Sequence, residues 1–181
     1  MKKQDAKNKI QHINDNTGLL SLWNDILFKT TKNSGWDAGF AFEYMILRAF
    51  ELEGAETKYP YSVYMDGIEI EQIDGFVYLK EFNLPVIIES KDKGDPQNIE
   101  PIAKLRNQLM RRPAGAIGSI FSTSGFTGPA GILGQFLAPN TILFWEKEEI
   151  EYCLTKKYFI QGTMLKYKHA IENGIYNFVI S

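Results

Sequence analysis

The chain is poor in the residues that build disulfides, metal clusters and thiol chemistry. Among 181 residues it has one cysteine, Cys153, and two histidines. A lone thiol closes no internal disulfide framework and fits a reducing cytoplasm. One cysteine and two histidines make neither a zinc cluster nor a Cys–His catalytic pair easy to build. Long apolar runs are missing too, so no segment reads as a membrane span. The opening MKKQDAKNKIQHIND is charged and lacks the apolar centre of a signal peptide. The expectation is a soluble, cytoplasmic protein with no membrane partner. Nor does one sign of charge dominate: 20 Lys and Arg stand against 22 Asp and Glu, a net charge of −2. A strong nonspecific nucleic-acid binder is usually more basic. Local patches still steer binding, and acids gathered around a metal lower the total without repelling a phosphate. No internal repeat or low-complexity linker is visible.

What is present describes a folded domain. The chain is 44% hydrophobic and 23% charged, enough for a real core and against disorder. Residues 4–14 read as a polar helix. Leu19, Leu22, Trp23, Ile26 and Leu27 recur at helical spacing. A further helix is expected over residues 38–53, with Asp37 as N-cap and Gly54 as its stop. Strands follow over residues 57–65, 69–79 and 85–91, the first an edge strand because Pro60 interrupts it. A helix over residues 98–112 ends at Pro113. The strand AIGSIFSTS leads through GFTGPAGILGQFL into a helix with Thr127 as cap and Pro129 in its first turn. TILFW is a short strand, and helices over 147–157 and 160–172 close the chain. This order predicts an α/β fold with a mixed central β-sheet flanked by helices.

One strand carries an unexpected pair of charges. In PVIIESKDK, three β-branched residues read as a strand buried on both faces, yet Glu89 and Lys91 follow, two apart and on one face. If Leu79 opposes Pro85 in a hairpin, paired residue numbers sum to about 164 and Asp74 faces Ser90. Asp74 then lies beside Glu89 and Lys91, in the apolar company of Ile73, Phe76 and Val77. On helix 38–53, Gly39, Glu43, Ile46, Leu47 and Phe50 share a face, so Glu43 interrupts an apolar stripe. A buried carboxylate needs a cationic partner or takes up a proton. Hard oxygen donors of this kind suit Mg²⁺ or Mn²⁺, which polarise a phosphodiester and acidify bound water. Glu-x-Lys alone is a weak pattern. A second copy, Glu56-Thr57-Lys58, has no apolar strand before it and no upstream acid near it, and it reads as surface. The plain alternative for Glu89 and Lys91 is a solvated strand end with a cross-strand ion pair.

Taken together, Glu43 in GFAFE, Asp74 in QIDG and Glu89-Ser90-Lys91 resemble the PD-(D/E)xK nuclease superfamily. GSIFSTSGFTGPA, residues 118–130, is similar to a strand–turn–helix segment of the Mrr-like restriction endonucleases. The resemblance spans roughly residues 35–130. It departs at Ile73, where the motif has Pro. It implies a restriction-endonuclease-like fold. It also implies that Asp74, Glu89 and the Ser90 carbonyl bind the metal, that Lys91 is the catalytic lysine, and that Glu43 is an auxiliary acid. The corresponding organisation is a helical extension over residues 1–34, a nuclease core over 35–140, and a C-terminal strand and helices over 141–181, packed as one domain.

Between residues 91 and 112, six basic residues stand against three acids, a local excess of three positive charges. Lys93, Lys104, Arg106, Gln108, Arg111 and Arg112 are the candidate nucleic-acid contacts. Lys104, Gln108 and Arg111 share a helical stripe read as lying opposite the core face, and Arg106 borders that face and is expected to point toward the sheet. The STSGFT segment offers hydroxyls and amides at a helix start, either a phosphate seat or a simple capped turn. The functional expectation is a Mg²⁺- or Mn²⁺-dependent DNA endonuclease in restriction or defence. The alternatives are a weakly catalytic binding module on the same fold, or a structure-specific repair or junction nuclease. Nucleases that cut both strands commonly act as dimers, which makes a homodimer the expected assembly.

Overall fold

The computed structural model describes residues 2–180. Met1 and Ser181, the outer ends of the two expected extensions, lie outside the described residues. Helices α1 (Lys3–Gln11), α2 (Asn16–Leu27) and α3 (Ala38–Leu52) come first. Strands β1 (Glu56–Lys58), β2 (Tyr61–Met65), β3 (Ile68–Ile73), β4 (Gly75–Leu79) and β5 (Leu84–Lys91) follow. Then come α4 (Glu100–Met110), β6 (Ile117–Ser122), α5 (Gly128–Gly134), β7 (Ile142–Trp145), α6 (Lys147–Lys156) and α7 (Phe159–Asn173). The architecture is α/β. A five-stranded sheet in the order β1-β4-β5-β6-β7 is antiparallel across β1, β4 and β5 and parallel across β5, β6 and β7. Strands β2 and β3 form a separate two-stranded sheet. Among the described residues, no helix is long and apolar enough to cross a membrane.

Two expected strands are each divided. Pro60 separates β1 from β2, because proline cannot donate to a ladder. The run 69–79 bends at Asp74, where the chain leaves the hairpin sheet and enters the central one. The β4–β5 register also differs by one from the simple count: Leu79 pairs with Leu84 and Gly75 with Ile88. The connection is a 3₁₀ turn, Lys80–Phe82, ended by Asn83 in the left-handed region at φ 50°. That turn closes the hairpin one residue earlier, so continuing the register sets Asp74 against Glu89 rather than Ser90.

Helices cover both faces of the central sheet. Alternate residues of β5 divide between them, as the pleat requires. Val86 and Ile88 join the larger core, with Phe42, Met45, Ile46 and Phe50 of α3, Phe121, Trp145 and Phe159. Ile87 joins the smaller core, with Ile102, Leu105 and Leu109 of α4 and with Ile120, Ile142 and Phe144. β5 is thus buried on both sides by its β-branched run, while α1 and α2 pack against α3. Trp145 and Phe159 are core residues. Beyond α7, the tail is held by a buried ion pair. Lys166 Nζ lies 2.5 Å from Glu149 Oε1 and also donates to the Phe178 carbonyl. The same Glu149 oxygen accepts from the Ile180 amide at 2.9 Å.

Candidate active site

The charged residues gather where β5 ends beside the bend between β3 and β4. Strands β5 and β6 run parallel, with Glu89, Ser90 and Lys91 paired to Ile120, Phe121 and Ser122. The carboxyl ends of adjacent parallel strands are where α/β sheets leave room for ligands. Glu89 and Lys91 share the α4 face with Ile87, and Ser90 lies on the α3 face. Asp74 is positioned by its neighbours. A Cβ on Gly75 would sit 2.5 Å from Leu47 Cδ2, so only glycine lets α3 approach β4 this closely. Leu47 is one turn beyond Glu43, so the same approach brings Glu43 to the site. The Ser90 backbone N–H donates to Asp74 Oδ2 at 3.0 Å, which fixes the carboxylate against the end of β5.

Two ammonium groups lie between the two carboxylates. Lys91 Nζ is 2.5 Å from Glu89 Oε1 and 3.5 Å from Asp74 Oδ2. Lys104 Nζ contacts Glu89 Oε1 at 2.9 Å and Oε2 at 2.8 Å, and approaches Asp74 Oδ1 at 3.6 Å. Glu89 is fully buried, its side chain 0% exposed. Burial raises its pKa, Asp74 adds to the rise, and the two lysines oppose it. Burial also works against the Lys91 ammonium, but Asp74 and Glu89 outweigh it and hold the lysine above its ordinary pKa. Lys91 is therefore a fixed positive charge at neutral pH rather than a base. Glu43 differs: burial, then the charge of Asp74, pushes its pKa up to about 7.

The donor set can be tested against the expected metal. Among the described residues, no three Asp, Glu, His or Cys side chains form a ready-made ligand cluster. Two carboxylates converge, however, and the Ser90 carbonyl faces the same cations, accepting from Lys91 Nζ at 3.3 Å. Three oxygen-bearing groups that already surround positive charge fit a hard divalent ion. A cleft of about 480 Å³ opens beside them, lined by Glu89, Lys91, Lys93, Asp95, Gln97 and Lys104 among others.

The expected nucleic-acid residues divide. Lys93 is exposed on the cleft. Lys104 also borders the cleft, but its ammonium is engaged with Glu89. Gln108 is 2% exposed and its amide donates to the Gln72 carbonyl at 2.8 Å, which corrects its assignment to a phosphate-facing stripe. Arg111 and Arg112 both bind the Glu71 carboxylate, so they anchor β3 rather than offer free cations. The helical wheel explains the misreading. Gln108 lies only about 60° from Leu105 at 3.6 residues per turn, and β3 covers that edge. Arg106 turns the other way. It is exposed, beside Met110, Pro113 and Pro139, and does not point toward the sheet or the site.

The STSGFT hydroxyls are engaged within the protein, in their own loop and with the stretch that follows β5. Ser122 Oγ donates to the Gly125 carbonyl, Thr123 Oγ1 to Asp92, and Thr127 caps Ala130. The decoy Glu56-Thr57-Lys58 is the edge strand β1, where Glu56 makes an exposed pair with Lys80. Lys104 as a partner of Glu89 was not evident in the sequence. The signal was its place early in the crossover helix that returns over the end of β5.

No family model matches the chain. No curated protein matches it either. A solved structure described as a protein of unknown function, AF1548, is similar at 19% identity and a TM-score of 0.48, over 74% of this chain and 77% of that one.

Proposed function

We propose that the chain is a metal-dependent endonuclease that hydrolyses phosphodiester bonds in DNA. One observation supports this above the others: Glu89 and Lys91 of β5 and Asp74 of the bend between β3 and β4 converge beside a cleft, with the Asp74 carboxylate held by the Ser90 amide. Asp74, Glu89 and the Ser90 carbonyl would hold Mg²⁺ or Mn²⁺. The bound ion supplies Lewis acidity and a water acidic enough to act as a nucleophile near neutral pH. Lys91, kept charged by its two acids, stabilises negative charge building on the phosphate. Glu43, with a pKa of about 7 in the metal-free chain, is the site acid placed to exchange a proton near neutrality. Lys93 offers its exposed ammonium to the nucleic-acid backbone. Restriction or defence against foreign DNA is the setting suggested by fold-level analogy, and a homodimer would allow both strands to be cut.

The test is plasmid DNA incubated with Mg²⁺ or Mn²⁺. Wild type is expected to cut, and a chelator to stop it. Lys91→Ala should lose roughly a hundredfold or more in rate, the scale of removing one preorganised charge stabiliser. Equal cutting by both proteins would remove Lys91 from the mechanism. No cutting of methylated, unmethylated or branched DNA would favour a binding module, a reading compatible with carboxylates already neutralised by two lysines.

A further inference from the structure

We propose that Lys104 is an exchangeable counter-ion. It holds Glu89 in the metal-free protein and leaves that place when a divalent cation enters between Asp74 and Glu89, which frees its ammonium into the cleft. The proposal rests on the metal-dependent reading above and goes further by giving Lys104 two positions.

Three observations support it. Glu89 is fully buried, so an ionised carboxylate there needs a cation at all times. The two lysines beside it are unequal. Lys91 belongs to the same strand, is 21% exposed, and is tied to Asp74, Glu89 and the Ser90 carbonyl. Lys104 reaches in from α4, its side chain is 41% exposed, and its stem lies along the cleft. The charges also matter. Asp74 and Glu89 balance Lys91 and Lys104 one for one. A divalent ion added to that set brings two positive charges; Glu43 beside it can offset at most one, and the rest stays uncompensated in a partly buried site unless an ammonium departs. Lys104 is the one free to go, since a lysine on a flexible stem regains hydration by swinging outward. Departure puts a cation into the cleft only in the loaded protein, so metal uptake and attraction of a polyanion are coupled through one side chain.

Mn²⁺ binding to the full chain, followed by calorimetry without DNA, tests this. Lys104→Gln removes the competing charge and is expected to bind Mn²⁺ roughly tenfold more tightly than wild type. Lys104→Arg keeps the charge and should bind like wild type. In the unaltered protein, reductive methylation read by mass spectrometry should label Lys104 several-fold faster once Mn²⁺ is added. A purely structural ion pair predicts no gain in affinity for Lys104→Gln and no change in labelling, and either result overturns the exchange. Absence of Mn²⁺ binding in both proteins overturns it too. Tighter binding by Lys104→Gln without DNA cutting by wild type would keep the exchange and refute the nuclease. Cutting by wild type without that gain would do the reverse.

Discussion

Glu43 shows how one residue's surroundings set its chemistry. Its pKa in the folded chain, about 7, lies above the ordinary 4.5, so folding takes up a proton between those values. The stability it contributes is complete below about pH 4.5 and is lost as the pH rises through about 7. With metal chelated, Glu43→Gln should gain stability relative to wild type over that interval, by about 1–3 kcal/mol at pH 8. Urea unfolding at pH 4.5 and pH 8 measures the change; a gap that does not widen with pH would refute it. Glu43 was visible in the sequence because a lone acid in an apolar helical stripe is conspicuous. Lys104 was singled out as a nucleic-acid contact, but its pairing with Glu89 was not visible, because a lysine on a half-exposed helix edge looks like any solvated residue until the strand beneath it is known. Gln108 and Arg106 fail for a related reason: helical spacing gives an angle, and the neighbours decide what lies at that angle.

Among the elements, the hairpin β2–β3 was the least legible. Val, Tyr and Ile in the sequence indicate strands, and Asp66-Gly67 indicates the turn. Nothing local says that β3 leaves the central sheet at Asp74. That bend depends on α3 packing against Gly75, a contact between residues 28 positions apart. The one-residue change in the β4–β5 register has a similar origin, since a 3₁₀ turn and a left-handed Asn83 replace the simple loop. Two arginines just past the end of α4, Arg111 and Arg112, fasten the hairpin through Glu71. Arg112→Ala should therefore loosen it. Amide hydrogen exchange over residues 61–73 is expected to rise while that of β5 and β6 stays slow. Unchanged protection of the hairpin would mean that apolar packing, not Glu71, holds it.

At the scale of the molecule, two cores on opposite faces share one sheet, and the C-terminal tail closes the larger of them. The α/β class, the mixed sheet and most helices follow from periodicity and caps. The tail does not, because its attachment depends on a buried lysine and glutamate that no local pattern in the sequence singles out. Glu149 and Lys166 are both about 1% exposed. Lys166→Ala leaves a buried carboxylate unpaired and should cost about 3–5 kcal/mol. Lys80→Ala, which breaks the exposed pair with Glu56, should cost under about 1 kcal/mol. Chemical denaturation of the two variants gives the comparison, and equal losses would refute the assignment of the tail to that buried pair.

The bend at Asp74 has a consequence for how such a chain can vary. The hairpin and the central sheet meet along the chain at two points only, Tyr59-Pro60 between β1 and β2 and Asp74 between β3 and β4. The hairpin's length and its tip at Asp66-Gly67 can therefore change in descendants without altering a single strand pairing of the central sheet. The acid at the junction stays where α3 and the end of β5 hold it, so the reach of the molecule and its chemistry are separately heritable.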